Sequence, residues 1–285
     1  TVIITSSAAE SVNHAILSTY QDVSLKEGKN HFISSVIEEA PAMISLSRLE
    51  SFGCSTSYLK PNTRGILTPQ ALIEAITPRT ALVALSWASG LTGLVQPIVE
   101  LAEICKSRGI RFLVEGTHVL GKLFFELKDL PIDFFAFNGE QIHGPKGTGG
   151  LYIKEGIHLS PFILGGVEQA GLRAGSVNVP GAVALGVAAK QALAARDYLS
   201  TEVARLKFYF EKDVLKKVPF AKILFQGEER LPNVTAISFP HIVNEALLFS
   251  LHRKGVFACI GGGSQQQLSY LLEASGVDKI LSGSA

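Results

Sequence analysis

Cysteine is scarce in this 285-residue chain, and Cys54, Cys105 and Cys259 stand far apart. Such scatter argues against a disulfide framework and points to a reducing compartment. No two of the three have metal-ligand spacing, and the seven histidines form no zinc-ligand cluster. Charge of one sign is lacking too. The formal net charge is +1 with no basic cluster, which argues against nucleic acid or an anionic membrane as partner. No apolar run reaches the ~18 residues of a membrane-spanning helix. The opening Thr1-Val2-Ile3-Ile4-Thr5 has no basic region before it and reads as a core strand, not a secretion signal. What the chain does have is 47% hydrophobic residues, enough for one larger and one smaller domain. A cytoplasmic α/β protein is the expectation.

Short apolar runs alternate with amphipathic segments, and no internal repeat or low-complexity tract interrupts them. Strands are expected at 2–5, 31–36, 55–59, 80–86, 111–115, 133–137 and 150–153. Helices are expected at 11–20, 40–52, 69–76 and 98–107. This alternation, with strands apolar throughout, implies a mostly parallel sheet covered on both faces. Beyond Pro180 the composition shifts to an alanine-rich helix over 182–199 and an amphipathic one over 201–217. Runs at 233–239, 245–254 and 255–259 read as strand, helix and strand of a smaller α+β unit. The expected division is 1–200 and 201–285.

Two glycine-rich runs stand out. Gly144-Pro145-Lys146-Gly147-Thr148-Gly149-Gly150 has neither the Walker spacing nor the dinucleotide Gly-x-Gly-x-x-Gly. Gly165-Gly166-Val167-Glu168-Gln169-Ala170-Gly171-Leu172-Arg173-Ala174-Gly175-Ser176-Val177-Asn178 is the more specific of the two. The chain resembles the cysteine desulfurases, class V aminotransferase-like enzymes that use pyridoxal phosphate, and the likeness covers nearly all of its length. The first run is similar to the segment carrying the cofactor lysine. The second is similar to a dimer-interface loop, Gly-Gly-x-Gln-Glu-x-Gly-x-Arg-x-Gly-Thr-x-Asn. The resemblance implies aminotransferase fold type I, with an incomplete small domain and both ends clipped relative to the family pattern.

It also implies a cofactor pocket whose residues have changed. The family's Ser-x-His-Lys falls on Asn138, Gly139, Glu140 and Gln141, and an amide cannot form a Schiff base. In the helix-start turn that grips phosphate, Ala8 and Ala9 stand, Ala9 at a threonine position. Glu39 takes the place of the histidine that stacks on the pyridine ring. Glu115 replaces the aspartate that pairs with the ring nitrogen, and His118 the glutamine that meets the ring hydroxyl. Ser89 and Gly90 cannot copy a substrate-positioning asparagine. Ser176 keeps a hydroxyl at the threonine position, Arg173 is expected to order its loop, and Ser264 occupies the nucleophilic cysteine position. Cys259, five residues earlier within an apolar run, is expected to be buried and inert.

Joint loss of these groups points to a desulfurase-like protein without covalent pyridoxal phosphate catalysis, serving in binding or assembly. The implied partners are a second copy or a related chain, and a sulfur-acceptor or scaffold protein. The alternative is an active pyridoxal phosphate enzyme with a displaced lysine, Lys122 or Lys146 being nearest in sequence. An unrelated α/β binding module is a third reading, which the two glycine-rich runs argue against.

Overall fold

A computed structural model describes residues 1–262 and 267–285. Seven strands form one sheet: β1 (Val2–Thr5), β2 (His31–Ser35), β3 (Ser55–Leu59), β4 (Thr80–Ser86), β5 (Arg111–Glu115), β6 (Phe134–Asn138) and β7 (Gly149–Ile153). Their order is β1-β7-β6-β5-β4-β2-β3. Only β7 runs against its neighbours, β1 and β6; the other pairs are parallel. The expected mostly parallel sheet is present.

Helices cover both faces because alternate strand residues are apolar on both. Along β4, Leu82 and Ala84 pack toward α1 (Ala8–Thr19), which runs on through a π-helical stretch into the short α2 (Leu25–Glu27), and toward α3 (Ala40–Glu50). Val83 and Leu85 pack on the opposite face against α4 (Pro69–Ala75) and α5 (Ile98–Ser107). Capping fixes where these helices begin. Ser7 accepts the Glu10 N–H at the start of α1, and Thr68 accepts the Ala71 N–H ahead of Pro69 in α4.

Asn178 caps α6 (Val179–Tyr198). A π-helical stretch, Leu199–Val203, carries it into α7 (Ala204–Lys217), so the chain passes residue 200 without leaving helical conformation. Beyond lie β8 (Lys222–Ile223) paired antiparallel with β9 (Ile237–Ser238), then α8 (Asn244–His252), α9 (Leu268–Ala274) and α10 (Lys279–Ser282). Two sequence expectations need correction here. The strand expected over 233–239 shrinks to β9, and 255–259 forms no strand. Val256 is 50% exposed and Phe257 84%, so no neighbouring strand covers that apolar run. Among the described residues, no helix is long and apolar enough to cross a membrane.

One close approach ties the sheet to the turn after β5. A Cβ on Gly116 would run into the ring of the fully buried Phe135 on β6. Gly116→Ala is therefore expected to destabilise the fold by about 1–3 kcal/mol through overpacking. Urea denaturation measures this, and an unchanged midpoint would mean that Phe135 yields freely.

Candidate functional site

The parallel strands end on one edge, and there β2, β4, β5 and β6 close on the polar residues Ser35, Ser86, Glu115 and Asn138. Ser35 closes β2 and donates its hydroxyl to Glu38 Oε1 at 2.9 Å. Ser86 closes β4 and donates its N–H to Glu38 Oε2 at 2.8 Å, with its hydroxyl on the same oxygen. Glu38 is thus buried but well held. Burial, with a smaller contribution from the charge of Glu115, pushes its carboxyl up to about 7.

Glu115 closes β5 at 8% exposure. Its Oε1 accepts the Thr117 N–H at 3.1 Å, while its buried Oε2 has no hydrogen-bond partner. Burial, then the charge of Glu39, pushes this carboxyl up to about 7 as well. Glu39, the residue before α3, meets His118 Nε2 at 3.1 Å. The imidazole lies so close to Gly90 that a Cβ there would collide with the ring. Glycine at 90 is what lets His118 reach Glu39.

Asn138, at the end of β6, accepts the Ala8 N–H through Oδ1 at 2.6 Å. The start of α1 is further occupied by its own side chains. Besides the Ser7 cap, Glu10 Oε2 accepts the Ser6 N–H at 2.8 Å, and Glu10 Oε1 holds Arg173 Nε at 3.0 Å. Arg173 thereby ties the 165–178 loop to α1, as expected. Gln169 stitches the same loop to β1 by bonding both the N–H and the carbonyl of Ile4.

Two adjoining cavities share Glu39 and Ser86. The inner one, about 90 Å³, is lined by Ala8, Ala9, Glu115 and Asn138. The outer one, about 390 Å³, takes Glu38, His118 and Cys259 with apolar walls from Ile37, Leu91 and Leu271. Six sequence-nominated residues therefore converge: Ala8, Ala9, Glu39, Glu115, His118 and Asn138.

Glu140 and Gln141 do not join them. They line a separate cavity of about 420 Å³ with Lys122 and His143. Ile142 anchors their 3-10 turn in an apolar cluster with Leu185 and Ala188 of α6, and His143 leaves the turn in left-handed conformation at φ 62°. That anchoring draws the neighbouring side chains toward α6. Lys122 is 9% exposed and burial lowers its pKa, whereas Lys146 is exposed. Ser176 is exposed on its loop, and Ser264 lies outside the described residues.

Cys259 corrects another expectation: it is exposed rather than buried, and its Sγ accepts the Gly261 N–H at 3.1 Å. Without a strand at 255–259, no neighbouring strand among the described residues covers it. Glu38 and Ser86 were not nominated by the sequence. The available signal was Ser35 three residues ahead of Glu38, a spacing that suits a side-chain hydrogen bond.

The aminotransferase class-V family profile matches residues 1–277. The cysteine desulfurase of Nostoc sp. is 34% identical over 279 residues, 97% of this chain and 69% of that protein. Cysteine desulfurase IscS of Methanosarcina thermophila is 33% identical over 287 residues, 99% of this chain and 70% of that protein. A solved structure described as a NifS-like protein superposes with a TM-score of 0.90 at 27% identity, over 99% of this chain and 75% of its own. The chain belongs to the class-V aminotransferase family, and within it to the cysteine desulfurases.

The residues at the strand ends do not fit a phosphate-bearing aldehyde such as that family's cofactor. Among the described residues, neither cavity is lined by a lysine or an arginine, while three glutamates face them. A phosphate would compete with Asn138 and the Ser7 cap for the first N–H groups of α1, and would meet Glu10 there.

The raised carboxyls have a consequence for stability. Folded Glu115 keeps its proton to higher pH than it does unfolded, so its contribution is fully present below about 4.5 and is lost as pH rises toward 7. Glu115→Gln is expected to stabilise the protein by about 1–3 kcal/mol at pH 8 and to be near neutral below about pH 4.5. Urea titrations across that range check it; a difference independent of pH would mean that Glu115 is not held protonated.

Proposed function

We propose that this chain is a cysteine desulfurase-like protein without covalent pyridoxal phosphate catalysis, acting as a binding or assembly subunit in the cytoplasm. The carrying observation is the lining at the strand ends: glutamates and one histidine, with no lysine among the described residues. Gln141, at the family's lysine position, supports the reading in sequence, and Ser264 at the cysteine position does so again. We take residues 1–200 as a large domain and 201–285 as a smaller one.

A second reading draws on Lys122. Its buried amine has a lowered pKa and opens on the cavity shared with Gln141, which suits a displaced nucleophile. Mixing the protein with pyridoxal phosphate, reducing with borohydride and mapping adducts by mass separates the two. No lysine adduct and no aldimine absorbance are expected. An adduct at Lys122 in high yield would establish the second reading and overturn the first.

Sulfide release from cysteine is expected not to exceed that of free cofactor without protein. Glu140→His, Gln141→Lys and Ser264→Cys together, with Ala9→Thr, form the informative restoration, since groups acting as a unit fail as a unit. Turnover by the unaltered chain would sink the proposal.

We further propose a dimer, with a second copy or a related chain, arranged around the 165–178 loop and α6. Leu164 just ahead of the loop and Val167 on it are 75% and 88% exposed, and Val183 and Val187 on α6 are 63% and 53% exposed. Sedimentation at tens of micromolar, an order of magnitude set by ordinary affinities, is expected to show the dimer of this chain or of its mixture with the related one. A monomer in both settings would count against it.

A further inference from the structure

We propose that the joined cavities at the strand ends bind a small organic cation: an amine or amidine with an apolar body and no acidic group. Its N–H donors meet Glu115 Oε2 and Glu39, and its body fills the outer cavity. The inference rests on the reading that no covalent aldehyde cofactor occupies this edge.

Four independent features converge on that ligand chemistry. The first is the unpartnered oxygen. Glu115 Oε2 is buried, accepts nothing from the protein and belongs to a side chain lining the inner cavity. A buried acceptor left unpaired is costly, and a ligand donor removes the cost. The second is charge. Among the described residues, Glu38, Glu39 and Glu115 face the cavities against a single imidazole, His118, and neither lining includes a lysine or an arginine. Above pH 7, where Glu38 and Glu115 give up their protons, that arrangement in a low-dielectric crevice repels anions and favours a cation.

The third is the closed anion port. Of the first N–H groups of α1, which suit a phosphate when free, those of Ala8 and Glu10 are bonded by Asn138 and Ser7, and the Glu10 carboxylate stands beside them. The fourth is shape. The outer cavity of about 390 Å³ lies within the range of small-molecule sites, with Ile37, Leu91 and Leu271 as apolar walls. The inner cavity of about 90 Å³ suits a compact polar head. Among the described residues, no three histidine, cysteine or carboxylate groups converge to hold a metal ion, so the favoured cation is organic.

Glu38 and Glu39 act differently in this arrangement. Ser35 and Ser86 saturate Glu38, so it supplies field rather than a contact. Glu39 shares one oxygen with His118 and can accept a ligand donor as well. Glu115 is the anchor.

Benzamidine serves as the cationic probe, benzyl alcohol as its uncharged counterpart and phenyl phosphate as the anion, each titrated calorimetrically into the full chain at about pH 8, where Glu115 is ionised. Benzamidine is expected to bind at concentrations of about 10 mM or below, and benzyl alcohol at least about tenfold more weakly, the weight of a charge-assisted hydrogen bond. Glu115→Gln, which leaves the fold intact on the argument above, is expected to weaken benzamidine by at least about tenfold. Leu91→Ala, which trims an apolar wall, is expected to weaken benzamidine and benzyl alcohol alike.

Equal affinity for benzamidine and benzyl alcohol, undiminished binding to the Glu115→Gln chain, or no benzamidine binding would each overturn the proposal. Tighter binding of phenyl phosphate would also do so. The pyridoxal phosphate adduct assay keeps the two readings apart. An adduct in the absence of benzamidine binding defeats the underlying function; no adduct and no benzamidine binding defeats this inference alone.

Discussion

The structure depends on one constraint: the central strands are apolar on both faces, so both faces must be covered. Fully buried Leu82 and Val83, adjacent on β4, point to opposite layers and are useless without α1 and α3 on one side and α4 and α5 on the other. Helical crossovers of this kind keep the strands parallel and bring their C-terminal ends to a single edge. The chain turns out of the sheet at Ser35, Ser86, Glu115 and Asn138, where polar side chains find hydrogen-bond partners in the turns that follow and at the start of α1. The candidate site is a product of how the core is covered.

At that edge the electrostatics differ among three acids only a few residues from the same sheet. Glu38 is stabilised by donors from Ser35 and Ser86, Glu39 by the imidazole made accessible by Gly90, and Glu115 by one N–H alone. Burial raises the two buried carboxyls to about 7, and the charge of a neighbouring glutamate adds to it in a medium that screens poorly, so both hold protons near neutrality. The same start of α1 that could receive an anion spends its donors internally. Fold and edge chemistry are separable here, which is why the family assignment leaves the activity to be argued from the site.

Much of the sheet was legible in the sequence. The apolar runs at 80–86 and 111–115 coincide with β4 and β5, because central strands buried on two faces leave an unmistakable pattern, and the runs at 2–5 and 55–59 coincide with the edge strands β1 and β3. The run at 255–259 has the same apolar character and is not a strand, since a strand needs a partner to pair with and periodicity cannot supply one. Six nominated residues of the edge converge because they sit at strand ends or at a helix start, positions that the alternation of elements dictates. Glu140 and Gln141 depart from them because the burial of Ile142 and the left-handed turn at His143 decide where their side chains go. No spacing rule records that. Glu38 escaped notice for a related reason: its role comes from Ser86, forty-eight residues away in the chain and adjacent only in the sheet.

The unpartnered Glu115 oxygen bears on what the edge is for. A crevice that had simply lost its ligand has no physical use for a buried carboxylate with one oxygen idle, because a neutral amide or an apolar side chain there would remove both the desolvation cost and the repulsion from Glu39. The core beneath does not require it: Leu113 and Phe135 are fully packed, and their contacts do not pass through the carboxyl group. Glu115 and Glu39, facing adjoining cavities, therefore have their physical rationale in the cavities, and in a positively charged occupant that would satisfy them together.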